Sequence, residues 1–189
     1  MPKRQMTFPA GRYFHVYNRG LNHAQVFFSA RNYIYFLELL KRNIDRYGIT
    51  VTAYCLMPNH YHLLIRPSSD DGLQWLMKGL AGSYVQAVNL EQGRQGPLFQ
   101  GRYRAIWVDD ESYLIHLARY IHLNPVEAGW VSSPEKWNYS NYRDVIGLRQ
   151  GTLKDTMLVP DLFESGAQYQ AFVVGDDVSP DAVETYHLD

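Results

Sequence analysis

Met57-Pro58-Asn59-His60-Tyr61-His62-Leu63-Leu64-Ile65-Arg66 is the stretch on which the fold turns. Its first three residues spell a tight turn, because proline presets φ and asparagine bonds to its own backbone. Residues 60–66 then read as a strand. Side chains alternate along a strand, so Tyr61, Leu63 and Ile65 point toward a core while His60 and His62 share the opposite face. The β-branched and apolar run from Ile49 to Met57 precedes the turn, and the two strands are expected to pair as a hairpin.

Working outward, Tyr13 to Asn18 is aromatic and β-branched and reads as a strand closed by Asn18-Arg19-Gly20. Ser29 caps a helix running to about Arg46, with Tyr33, Phe36, Leu37, Leu40 and Ile44 at three-four spacing and Gly48 as its stop. Leu73 to about Leu90 is a second helix. A Gly/Arg/Gln loop leads to a fourth strand over Gly101 to Val108, and a third helix runs from Asp110 to Leu123, ending before Pro125. Strand, helix, strand, strand, helix, strand is the split βαβ order. The expected fold is therefore α+β and ferredoxin-like: a four-stranded, mainly antiparallel sheet, helices on one face, and a further helix carrying Tyr120. Residues 1–11 read as a loose leader, 12–150 as the catalytic domain, and 151–189 as an acidic tail with a short helix around Gln168–Val174.

Composition narrows the classes. At 189 residues the chain can bury a core without staples, and its single cysteine, Cys55, excludes an internal disulfide. No run of 18 apolar residues exists, so no membrane partner is expected, and the charged N-terminus lacks the apolar stretch of a secretory signal. A cytoplasmic protein is expected. The net charge of −1 hides a basic body and an acidic tail: residues 1–150 carry a balance of +6 and residues 151–189 one of −7. Basic residues beside aromatics, as in Arg102-Tyr103-Arg104 and Arg119-Tyr120, suit single-stranded nucleic acid, where bases stack and phosphates pair. Arg19, Arg66, Arg94, Arg102, Arg104 and Arg119 are the candidate phosphate contacts. For Trp107 and Trp130, core packing is favoured over base stacking.

Two neighbouring imidazoles on a strand form half of a metal site. A second constellation lies in Leu117-Ala118-Arg119-Tyr120-Ile121-His122-Leu123-Asn124-Pro125-Val126. Tyr120 and Asn124 are four apart and share a helical face, while Leu117 and Ile121 face the core. His116 and His122 flank the tyrosine and read as structural or supporting residues.

These two segments, together with Tyr17-Asn18-Arg19-Gly20 and Gly96-Pro97-Leu98-Phe99-Gln100-Gly101-Arg102-Tyr103, resemble the HUH single-tyrosine transposases, and within them the REP-associated tyrosine transposases. The resemblance spans about residues 12–147 and keeps the family's order. It implies that His60 and His62 are the paired metal histidines, that Asn124 completes the metal site and that Tyr120 is the nucleophile. Imidazoles alone would suit zinc or manganese; the resemblance implies Mg2+ or Mn2+. The implied function is a metal-dependent single-strand DNA endonuclease and strand transferase, acting at hairpin-forming palindromic repeats through a 5′-phosphotyrosine. Its partner would be single-stranded or hairpin DNA, with a monomer favoured over a dimer. Two other functions fit parts of the pattern. One is a non-catalytic hairpin DNA- or RNA-binding protein domesticated from a transposase. The other is a metal-dependent hydrolase of small phosphate esters, which would not need Tyr120.

Overall fold

The computed structural model of the chain describes residues 7–151, 153 and 162–175. Four strands, β1 (Tyr13–Arg19), β2 (Ile49–Met57), β3 (His60–Pro67) and β4 (Arg104–Val108), form one sheet in the order β2-β3-β1-β4. All three pairings are antiparallel. The β2–β3 hairpin turns at Pro58-Asn59, with Met57 opposite His60. On the other side of β3, β1 sets Tyr17 opposite His62 and Arg19 opposite His60.

Two helices cover one face. Helix α1 (Ala30–Tyr47) follows Ser29, and the Asn32 side-chain oxygen accepts from the backbone N–H groups of Phe28 and Ser29, satisfying donors the helix start leaves open. It stops at Gly48, whose φ of +61° is the left-handed C-terminal turn that glycine adopts without steric cost. Helix α2 (Gly72–Glu91) packs along α1. Their buried stripes meet Phe14 and Val16 of β1, Leu56 of β2 and Tyr61, Leu63 and Ile65 of β3 in one core. The alternation expected of residues 60–66 is thus observed.

The opposite face carries a second core. Ala53, Cys55, Met57, Leu64 and Val108 are covered by Leu114, Leu117, Ala118 and Ile121 of helix α3 (Glu111–Glu127), together with Tyr142 of the short helix α4 (Tyr142–Val145) and Tyr169 and Val173 of α5 (Gly166–Val174). The sheet is therefore sandwiched: α1 and α2 on the Tyr61 side, α3 on the histidine side.

Local expectations shift in four places. Helix α3 continues through Pro125 to Glu127, because proline at that position removes only the bond to the Ile121 carbonyl, close to where the helix ends anyway. Strand β4 begins at Arg104 rather than Gly101. The expected leader includes Phe8, which is buried edge-on against Phe14; residues 1–6 lie outside the described residues. Trp107 and Trp130 are not core residues: each is at least half exposed. Of the expected acidic tail, α5 packs on α3, and most of the acidic residues lie outside the described residues. Among the described residues, no helix is long and apolar enough to cross a membrane.

Candidate active site

Strand alternation and the placement of α3 build the site. His60 and His62 lie on the α3 side of β3 with ring centroids 5.0 Å apart and rings nearly perpendicular. From α3, Asn124 brings its Oδ1 to 3.0 Å from His60 Nε2. One turn earlier, the Tyr120 ring meets His62 edge-on at 5.5 Å between centroids. The histidine pair and the tyrosine, sixty positions apart in the chain, thus converge with Asn124 on one spot.

Burial sets their chemistry. Tyr120 is 7% exposed, and loss of water pushes its phenol up to about 12. Glu127 on the same helix adds to that rise, whereas a hydrogen-bonding interaction with the Asn124 side chain opposes it. Burial lowers His60 to about 4, with Asn124 opposing the shift and the Arg19 charge adding to it. His62 is held well below its ordinary value by burial and by the neighbouring His15 and His60. Both imidazoles are therefore neutral at physiological pH.

The two neutral rings could hold a cation. His60 places Nδ1 at 2.7 Å from Asn59 Oδ1 and Nε2 at 3.0 Å from Asn124 Oδ1. A neutral imidazole has one N–H, so it can donate to only one of these oxygens. At the second contact either the amide turns to donate through Nδ2, or the ring lone pair and the amide oxygen face each other as a pair that a cation would bridge. His62 Nε2 is buried with no hydrogen-bond partner among the described residues. A buried, unpaired ring nitrogen is costly unless something binds it. Among the described residues no three His, Cys, Asp or Glu side chains form a metal-binding group, so a donor set at this spot would need the Asn124 amide.

One supporting residue escapes the sequence pattern. His15 of β1 is buried, and its Nε2 lies 2.9 Å from His62 Nδ1 with the rings edge to edge and within 17° of parallel. For His62 Nε2 to present a lone pair, the His62 proton must sit on Nδ1 and donate to His15 Nε2. The available signal was the two-residue spacing of His15 and Tyr17, which puts both on one strand face; only the register of β1 on β3 reveals that this is the face of His62.

The candidate arginines divide. Arg19, Arg102 and Arg104 line one cleft of about 230 Å³ with Tyr17, Asn18, Gln100 and Gly101, and Arg19 is the strand partner of His60. Arg66 lies at the far end of β3, about 20 Å along the strand from His60, with its guanidinium over the Tyr13 ring. Arg94 bonds to the Pro97 carbonyl within its own loop. Arg119 points away from the strand site: it donates to the carbonyls of Phe172, Val173 and Gly175 at the C-terminal end of α5. His122, buried on α3, contacts the Tyr169 hydroxyl at 2.6 Å and Asn141 Oδ1 at 2.9 Å, the structural role expected of it.

An antiparallel sheet thus presents paired imidazoles to a helix-borne phenol and amide. The chain belongs to the family described as "Transposase IS200 like", whose model matches residues 11–124, more than half of its length. Two relatives carry the name REP-associated tyrosine transposase. The Haemophilus influenzae protein is 27% identical over 121 residues, covering 58% of this chain and 69% of the relative. The Escherichia coli protein is 26% identical over 109 residues, covering 57% of this chain and 62% of the relative. The fold is shared with a solved REP-associated tyrosine transposase bound to a REP hairpin, at a TM-score of 0.64 and 18% identity, covering 78% of this chain and 86% of that one.

Proposed function

We propose that this protein is a metal-dependent single-strand DNA endonuclease and strand transferase that acts at hairpin-forming repeats through a 5′-phosphotyrosine on Tyr120. The observation that carries this reading is the convergence of His60, His62, Asn124 and Tyr120 on one spot. The neighbour solved with a REP hairpin supports the hairpin as the partner.

A phosphodiester is shielded by negative oxygens. His60 Nε2, His62 Nε2 and Asn124 Oδ1 would hold a divalent cation, Mg2+ or Mn2+, which would supply neutralisation of those oxygens and orientation of the phosphorus for in-line attack. The neutral state of both imidazoles leaves their lone pairs free for that task without a proton to displace. Tyr120 Oη attacks the phosphorus and the bond to the 3′-oxygen breaks. The phenol proton is given up to solvent and the released 3′-oxygen takes one up. With its phenol pushed up to about 12, Tyr120 stays protonated and inert until a phosphate is bound. The phosphotyrosine keeps the energy of the broken bond, so a second 3′-hydroxyl can reverse the step and join strands. That balance favours strand transfer over hydrolysis of small phosphate esters. Arg19, Arg102 and Arg104 hold the DNA backbone from their shared cleft. Such an activity places the protein in the cytoplasm, on the nucleoid.

The test is incubation with a hairpin oligonucleotide carrying a single-stranded flank in Mn2+, followed by mass spectrometry of the tyrosine peptides. A deoxynucleotide-phosphate adduct on the Tyr120 peptide is the expected result. Tight hairpin binding with no adduct on any tyrosine would favour the non-catalytic hairpin-binding protein.

A further inference from the structure

A second cleft, of about 730 Å³, opens at His60 between residues 23–33, the β2–β3 turn and the segment that follows α3. It shares no lining residue with the arginine cleft, and its chemistry is the opposite. No Lys, Arg, Asp or Glu lines it; its walls are aromatic, with Phe28, Tyr33, Trp130 and Trp137. Two of these rings are anchored. Trp137 Nε1 donates to the Leu56 carbonyl, and Tyr33 stacks on Tyr139 at 3.7 Å. The other two stand in solvent: Trp130 is 58% exposed, 6.3 Å from Trp137, and Phe28 is 37% exposed. Polar edges come from Asn59 and Gln25. The wall near Asn59 includes two consecutive left-handed residues, Asn22 and His23 (φ +54° and +59°). Gly20 anchors that segment, since a Cβ there would lie 1.9 Å from the Ala24 carbonyl oxygen.

We propose that this cleft takes one unstacked base of the single-stranded DNA whose phosphate sits at His60 and Asn124, held by stacking on Trp130 and Phe28. The inference rests on the proposed function for the phosphate and adds a second subsite to it. The division of charge selects the occupant. Phosphates go to the cleft with three guanidinium groups, and a cleft with none admits the neutral, flat part of a nucleotide. Because His60 lines the base cleft while its strand partner Arg19 lines the phosphate cleft, one strand can cross the site with its backbone on one side and a base on the other. A tryptophan so exposed beside a polar edge offers a stacking face that every base can use.

The experiment is a double-mutant cycle on binding, with cleavage silenced by Tyr120→Phe. Affinity for a fluorescein-labelled hairpin with an oligo-deoxyadenylate flank is measured by anisotropy, with a single abasic residue moved along the flank. One position is expected to weaken binding about tenfold, the size of one lost stack. In the Trp130→Ala and Phe28→Ala variants the intact flank binds about tenfold more weakly, and the abasic residue at that position then adds nothing. Equal abasic penalties in variant and parent overturn the base cleft while leaving the proposed function standing, as does a change of oligomeric state in Trp130→Ala with DNA affinity unaltered. Absence of hairpin binding by the parent protein overturns both.

Discussion

His15 Nε2 stands 2.9 Å from His62 Nδ1, with the two buried rings edge to edge and nearly coplanar. With the His62 proton on Nδ1, this contact leaves Nε2 to face the site, so in the proposed site His15 would orient a metal ligand without reaching the metal itself. Removing such a partner typically costs 10–100-fold in metal affinity. His15→Leu is therefore expected to weaken Mn2+ binding by about that factor in calorimetric titration. His15→Gln, whose side-chain oxygen can accept from His62 Nδ1–H, is expected to recover much of the loss. Equal Mn2+ affinity in the parent and His15→Leu proteins would show that the ring pair only fills space.

Tyr120 and His60 separate the two halves of the proposed reaction. Tyr120→Phe removes the attacking oxygen but keeps the ring that packs on His62, so hairpin affinity is expected to stay within about twofold while the covalent adduct disappears. His60→Ala is expected to abolish Mn2+-dependent nicking through loss of the ion. Nicking that survives in His60→Ala at undiminished rate, read on denaturing gels, would detach the metal from the histidine strand.

The arginines should differ in how salt affects binding. Each phosphate contact that is lost lowers the slope of log affinity against log salt by about 0.7–0.9. Arg102→Ala and Arg104→Ala, from the shared cleft, are expected to reduce the slope by about that amount each. Arg66→Ala is expected to leave it alone. Arg119→Ala is expected to leave the slope alone as well but to lower unfolding free energy by roughly 1.5–3 kcal/mol, since a charged donor is lost from the carbonyls that end α5. A flatter salt slope in Arg119→Ala would return that residue to the DNA interface.

The contrast between Arg104 and Arg119 shows what the sequence could and could not carry. Strand alternation put His60 and His62 on one face, and four-residue spacing joined Tyr120 to Asn124; both are local rules, and both hold in the structure. The face of the sheet that α3 would cover is not local. It depends on Leu64 and Cys55 offering a second apolar surface to Leu117 and Ile121, so the sandwich with the site between its layers emerged only in three dimensions. Arg119 had the sequence context of a phosphate contact, but its partners are carbonyls more than fifty positions later. Trp130 failed as a core residue for the opposite reason: it follows the end of α3, where Gly129 at φ +72° turns the chain outward.

Acid should loosen the second core through His122. Its ring is buried between Tyr169 and Asn141, and burial lowers it from the ordinary 6.5 to about 4, with Asn141 opposing the shift. Below 6.5 the unfolded chain takes up a proton at this residue that the folded chain refuses until about 4, so stability falls as pH drops through that window and is flat above it. One such histidine contributes a slope of about 1.4 kcal/mol per pH unit and a total of order 3 kcal/mol. His15, lowered to about 3 by burial, acts with the same sign, so the parent protein is expected to show a steeper loss than one histidine explains. Urea unfolding across the window reads the slope directly, and His122→Phe is expected to flatten it by about one proton's worth. If His122→Phe keeps the parent slope, the proton taken up on unfolding belongs to other residues, and the contact between α3 and α5 is insensitive to acid.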